Sequence, residues 1–210
     1  MIELYYSPST ASLVVHWLLI DLGLPHVLHK LDFDKREHKS PAYLAINPAG
    51  VVPTLVLDGQ PITEAAAILL HLADMHPAAG LAPSPGTLAR AKYYQWMFFM
   101  ANTLQPAYRA WFYATEPAGE ANVDAVKDAA RRRIESAWAQ VDAHLAAGGP
   151  YLLGEKPCAV DFMMTMLMRW SRNMPKPAHT WPALAAHAKR MKARPSFAEV
   201  YAREGLSDWT

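Results

Sequence analysis

Residues 47–57 read NPAGVVPTLVL, and the proline near the middle decides how the first half of the chain is assembled. Proline has no N–H to give to a ladder, so within sheets it is confined to edges, first residues and bulges. Its other use is a cis peptide bond, usually in a tight turn. Pro53 therefore opens the strand TLVL, and a bend there leaves the main-chain N–H and C=O of Val52 for a partner outside the sheet. Asp58-Gly59 follows as a strong turn signal, so VVPTLVLDGQPI reads as a β-hairpin.

Outward from the hairpin, the first eighty or so residues alternate strand and helix. IELYYS is strand-like, and STASLVVHWLLIDLGL has helical spacing with Leu13, Trp17 and Ile20 on one face. Gly23 and Pro25 end that helix. HVLHKLDF alternates again, which places Val27, Leu31 and Phe33 together on one side. After the hairpin, TEAAAILLHLADMHP is a helix with Thr63 as its expected N-cap and Pro77 as its stop. PAAGLAPSPG then reads as a linker, and beyond it only helical stretches appear, near 87–114, 120–147, 158–173 and 181–192. The expected fold class is α/β plus all-α, with a first domain over 1–77, a linker over 78–86 and an all-helical domain over 87–210.

Bulk properties narrow the function. Twenty Lys+Arg against nineteen Asp+Glu leave a formal charge of +1, so no strong field points to nucleic acid or an anionic membrane. No uncharged apolar run is long enough to span a bilayer. The start MIELYY enters a strand without a basic, apolar leader, so a cytoplasmic location is expected. The one cysteine, Cys158, excludes an internal disulfide and a cysteine-based metal cluster, and no metal site is expected.

Four local features carry chemistry. The loop YYSPSTAS holds Ser7, Ser9, Thr10 and Ser12 ahead of a helix. Hydroxyls there cap the helix, and with its free N–H groups they also suit a nearby anion such as a thiolate. Val52-Pro53 offers main-chain groups to an extended peptide. Glu64 and Ala65 open a helix whose N–H groups suit a carboxylate, while the Glu64 side chain suits an ammonium. DKREHKSPAY brings Lys35, Arg36, His38 and Lys39, most of them expected to be solvated and one or two available to a second carboxylate. Together they fit a small peptide bearing an α-amino-acid end.

The order YYSPSTAS, NPAGVVPTL, ITEAAAILLHLAD and then an all-helical half resembles the cytosolic glutathione transferases, particularly bacterial and beta-, delta- or theta-like members. The resemblance covers essentially the whole chain. It implies a thioredoxin-like domain followed by a helical bundle, a homodimer, and glutathione as co-substrate. It implies that Pro53 is cis, that Val52 pairs through its backbone with glutathione's cysteinyl unit, and that Glu64 and Ala65 hold the γ-glutamyl end. His38 and Lys39 would approach the glycyl carboxylate. For the hydroxyl that activates the thiol, Thr10 matches delta-like sequences, Ser9 a zeta-like register, and Ser12 follows the position where beta members carry cysteine. Thr10 and Ser12 are favoured over Ser9; Tyr6 is a fourth candidate that alternates within a strand.

Three positions depart from the family pattern. Ala11 stands where beta-type members have cysteine, which excludes disulfide chemistry on a protein thiol there. Ala65 stands where serine is usual, a lost hydrogen bond of ~1 kcal/mol. Cys158 occupies a usual Ser/Thr cap in CAVD, leaving Asp161 to do more, and is read as structural.

An electrophile pocket is expected from the aromatic segment 91–114, with Trp96, Tyr108, Trp111 and Phe112 as its candidates. Its stripe of Tyr93, Trp96, Met97, Met100, Leu104 and Trp111 is read mainly as core, and Pro106 as a kink or break. Three activities stay open at this point: conjugation of glutathione to hydrophobic electrophiles, glutathione-dependent reduction of disulfides or peroxides, and non-catalytic binding.

Overall fold

The computed structural model describes residues 1–209, which fall into two compact units: residues 1–82 joined by the stretch from Lys192 onward, and residues 83–191. The first unit is built on a four-stranded sheet ordered β2-β1-β3-β4, from β1 (Ile2–Tyr6), β2 (Val27–Lys30), β3 (Thr54–Leu57) and β4 (Gln60–Ile62). β2 runs parallel to β1, because helix α1 (Ser12–Asp21) carries the chain back between them. β3 runs antiparallel to β1 and pairs with β4 in a hairpin. Asp58 and Gly59 both have positive φ at its turn (48° and 81°), the geometry whose twist matches a tight hairpin. Pro61 is tolerated because β4 is an edge strand.

Helix α1 is buried from Ser12 to Leu19 without a polar face. A helix apolar all round needs neighbours on all sides. It has them in β1, in helix α3 (Ala65–Met75), and in a last helix, α10 (Pro195–Glu204), that lies beyond the helical stretches named above. The indole N–H of Trp17 donates to Ser196 Oγ at 2.9 Å, and Arg194 grips Asp21 with two hydrogen bonds. This last helix clusters with the sheet rather than with residues 83–191.

Two local expectations need correction. Val27 is 46% exposed, because β2 is an edge strand and only Leu31 of the expected trio is buried. Thr63 does not cap α3; Glu64 holds that position with φ 68° and makes no side-chain cap. A four-residue helix α2 (Pro41–Leu44), capped by Ser40, occupies the polar stretch before the hairpin.

In the second unit, helix α4 (Leu88–Phe99) is capped by Thr87, whose Oγ1 accepts the N–H of Arg90. It runs into a π-helical stretch at Met100–Leu104 and then α5 (Gln105–Phe112), with Pro106 in the first turn of α5. The missing N–H of proline is compatible with that widened turn. After the short α6 (Thr115–Ala118), α7 (Val123–Gly148) carries the Arg131–Glu135 and Arg132–Asp128 pairs at helical spacing. Helix α8 (Ala159–Trp170) is buried from Ala159 to Arg169, and α9 (Pro182–Lys192) closes the unit. Asp161 is fully buried and accepts hydrogen bonds from the N–H of Cys158, the N–H of Leu152 and Nε2 of His187. Among the described residues no helix is long and apolar enough to cross a membrane.

Candidate active site

Strand pairing gathers the chemistry-bearing segments of the first unit at one end of its sheet. Tyr5 pairs with Thr54, so the loop after β1 and the loop before β3 are neighbours. Leu55 pairs with Ile62, which brings the start of α3 to the same end. Ser7–Ser12, Val52-Pro53 and Glu64-Ala65 thus all lie at that end of the sheet.

The Val52-Pro53 peptide bond is cis. Pro53 is buried and Val52 half-buried. Glu64 is exposed and held at φ 68°, ψ 105°, a conformation that a non-glycine residue adopts at a cost of about 1–3 kcal/mol. That geometry leaves the N–H of Ala65 at the positive end of α3 and the Glu64 carboxylate in solvent beside it.

The loop after β1 is stapled by its own hydroxyls. Ser12 Oγ accepts the N–H of Ser7 at 3.2 Å and donates to the Ser7 carbonyl at 3.0 Å. Thr10 Oγ1 lies 2.7 Å from the same carbonyl and 2.8 Å from Ser12 Oγ. Ser12 is wholly buried, whereas Thr10 is only half-buried. Ser9 turns the chain with φ 66° and donates its N–H to Glu204 Oε2 at 3.0 Å. Tyr6 is 7% exposed and its ring packs against His16; burial and then the nearby Glu204 carboxylate push its phenol above the ordinary value. Tyr6 is thus chiefly a core residue.

The basic loop divides. The His38 ring packs, tilted, against Phe33 at 4.1 Å, and burial, then the charges of Lys39 and Arg36, hold its imidazole below the usual histidine range. Lys39 is exposed, but its ammonium donates to the Ala49 carbonyl at 3.0 Å, so it braces the NPAG turn. Gly50 is required in that turn: φ is 58°, and a Cβ would sit 2.7 Å from the His38 carbonyl oxygen.

Five residues missed in the sequence support this end of the sheet. Tyr43, Asn47 and Thr54 are buried and hydrogen-bonded to one another or to Val51; Glu204 and His16 tie α10 to α1 at 2.9 Å. Asn47 sits within a motif already singled out, but nothing in its spacing marks it as buried.

The aromatic candidates of the second unit separate by burial. Tyr108 is fully buried, accepts a hydrogen bond from the Trp138 indole at 2.9 Å, and has its phenol driven far above the ordinary value by burial. Trp96 is 7% exposed and packs on His144. Both are core residues. Trp111 is half-buried, and Phe112 is 50% exposed with its ring stacked on Tyr108. Among the described residues, no group of three His, Cys, Asp or Glu side chains is placed to hold a metal ion.

Comparison with known proteins agrees with this layout. Residues 8–75 match the family described as glutathione S-transferase, N-terminal domain, and residues 124–203 match glutathione S-transferase, C-terminal domain. The chain is 32% identical to glutathione S-transferase GST-4.5 of Xanthomonas campestris, over 98% of this chain and 100% of that one. It is 26% identical to the disulfide-bond oxidoreductase YfcG of Escherichia coli, over 99% and 98% respectively. A sphingomonad glutathione S-transferase complexed with glutathione superposes with a TM-score of 0.85 at 32% identity, covering 98% of this chain and 100% of that one. A thioredoxin-like sheet with its cis turn, a helical unit after it, and near-complete coverage of bacterial members have one meaning: the chain belongs to the glutathione S-transferase family.

Proposed function

We propose that this protein conjugates the thiolate of glutathione to hydrophobic, electrophilic small molecules. The observation that carries the reading is the convergence, at one sheet end, of Val52-Pro53, the Glu64-Ala65 helix start and the hydroxyl loop Ser7–Ser12. In this reading the main chain of Val52 pairs with the cysteinyl unit of glutathione. The Ala65 N–H receives the γ-glutamyl carboxylate, Glu64 accepts from its ammonium, and a neutral His38 donates to the glycyl carboxylate.

The reaction needs a thiolate near neutral pH, whereas a free thiol has pKa ~8.5. Thr10 supplies the hydroxyl. Both Thr10 and Ser12 reach the Ser7 carbonyl, so when Ser12 satisfies that acceptor the Thr10 proton is available to an incoming sulfur anion. Ser12 then acts as a positioning residue, and Ser9 as the turn. The thiolate attacks the electrophile, a carbon–sulfur bond forms, and the leaving group departs with its electron pair. Trp111 and Phe112 are the remaining candidates for the apolar pocket, with Tyr108 and Trp96 packed as core residues in the same helical unit. A homodimer fits the exposed Tyr94 and Phe98 of α4, and a reducing cytoplasm fits a chain whose single thiol is buried.

A reductase reading has one relative named for disulfide-bond chemistry behind it. Ala11 puts no protein thiol at the start of α1, so such a reaction would use a second glutathione as its resolving thiol. Retention on immobilised glutathione, followed by turnover of a nitroaryl halide against a mixed disulfide, separates the readings. Halide turnover supports conjugation, disulfide turnover alone supports reduction, and retention without turnover supports a binding protein.

A further inference from the structure

We propose that Tyr43, Asn47 and Thr54 form a positioning network that sets the main-chain edge of Val52 against its ligand, an inference that rests on the glutathione reading above. The four groups involved leave no choice of proton. Asn47 Oδ1 accepts the Ala49 N–H at 3.1 Å, which fixes the amide orientation. Its Nδ2 then donates to the Val51 carbonyl at 2.8 Å and to Thr54 Oγ1 at 3.0 Å. Tyr43 has one proton, and it goes to the Val51 carbonyl at 2.6 Å. With the Tyr43 proton spent on Val51, the 2.8 Å contact between Tyr43 Oη and Thr54 Oγ1 takes the Thr54 proton. Every donor is used, and the Val51 oxygen takes two.

The circuit is dry. Thr54, Asn47 and Tyr43 are 0%, 2% and 3% exposed. It holds the chain at Val51 and at Thr54, the residues on either side of Val52-Pro53. Pro53 has no N–H, so the only main-chain N–H between the two anchors belongs to Val52. Fixing both flanks of a two-residue segment fixes the direction of that N–H and of the adjacent C=O. The Tyr43 ring is held in turn by Tyr5, 5.4 Å away, in the strand register that defines this end of the sheet. A buried hydroxyl–amide circuit merely filling the core would have no reason to terminate on the residue beside Val52.

The test uses Tyr43→Phe and Thr54→Val, which delete one hydroxyl each and keep the shape, with Thr54→Ser as the conservative rescue. Titration calorimetry is run with glutathione and with glutathione methylated on the cysteinyl amide nitrogen, which removes the donor facing the Val52 carbonyl. Loss of one buried hydrogen bond predicts a glutathione Kd raised about 5–10-fold in both variants, restored in Thr54→Ser, with kcat at saturating glutathione within about twofold. The wild type should lose about tenfold on the methylated ligand and the variants less than about threefold, because their contact is already misaligned. Variants that bind glutathione like the wild type, or that lose as much as the wild type on methylation, overturn the inference. No heat from the wild type with glutathione overturns the binding reading itself and takes this inference with it. Should Tyr43→Phe fail to fold, the Thr54 pair decides alone.

Discussion

The Glu204 carboxylate, in the last helix, accepts the N–H of Ser9 through one oxygen and meets His16 Nδ1 at 2.9 Å through the other. Both side chains are fully buried, so a residue near the end of the chain fixes the turn that carries the candidate hydroxyls. Removing one partner of such a pair strands the other without solvent. Glu204→Ala is expected to lower the unfolding free energy by roughly 3–5 kcal/mol, read from urea midpoints at constant m. A loss below about 1 kcal/mol would show the pair to be incidental.

Thr10 and Ser12 should separate in kinetics. Thr10→Ala is expected to lower kcat by roughly a hundredfold and to move the acidic limb of the pH–rate profile upward, with Thr10→Ser retaining most of the rate. Ser12→Ala leaves the N–H of buried Ser7 without its partner, so it should cost about 1–3 kcal/mol of stability. A profile unmoved by Thr10→Ala would pass the thiol-activating role elsewhere.

Glu64 offers a charge-assisted hydrogen bond from an exposed position that takes no part in the core. Glu64→Gln is expected to weaken glutathione binding by about 10–100-fold while leaving the melting temperature nearly unchanged. Calorimetry paired with thermal melts reads both quantities, and a melting change without an affinity change would make the strained backbone purely structural.

Acid should destabilise the first unit through its histidines. His26 donates Nδ1–H to the Leu24 carbonyl while its Nε2 is buried without a partner, and burial holds its imidazole below the usual range. His38 is lowered for the same leading reason. The folded state then binds fewer protons than the unfolded chain, so stability rises with pH through this window and falls as pH drops below about 6.5. Urea midpoints at pH 7.5 and 5.5 should show the fall, and His26→Gln should reduce it while leaving the His38 share.

Cys158 should be chemically silent. Its thiol is 4% exposed, donates to Asp161 Oδ2, and is pushed well above the usual thiol range, first by burial and then by the Asp161 charge. The native protein is expected to react with a disulfide reagent only at its unfolding rate, with one equivalent released promptly in denaturant. Prompt reaction of folded protein would contradict the buried cap.

Much of this was readable in the residues. Proline and glycine constrain backbone directly, so Pro53 and Asp58-Gly59 announce the turn before β3 and the hairpin after it. Helix α10 had its signals too: Pro195 at the first position, Phe197, Val200 and Tyr201 buried, and Gly205 at φ 67° as the stop. What spacing does not encode is which distant polar groups close on one another. Tyr43 with Thr54, and Glu204 with His16, are chosen by tertiary packing, and their side chains read locally as surface. Ser12 and Thr10 read alike in the sequence, and only the fold shows Ser12 wholly buried and Thr10 half-buried. Nor does spacing show that Lys39, though exposed, places one of its ammonium protons on the Ala49 carbonyl.

The first unit is discontinuous in sequence, since the stretch from Lys192 onward completes it. On the ribosome, the sheet emerges early yet waits for α10 until all of 83–191 has been made. The nascent α1 must spend that interval with an apolar flank uncovered. A fragment ending at residue 82 should therefore be a poor expression product, whereas a permuted chain that places 192–209 ahead of residue 1 should let the sheet mature first.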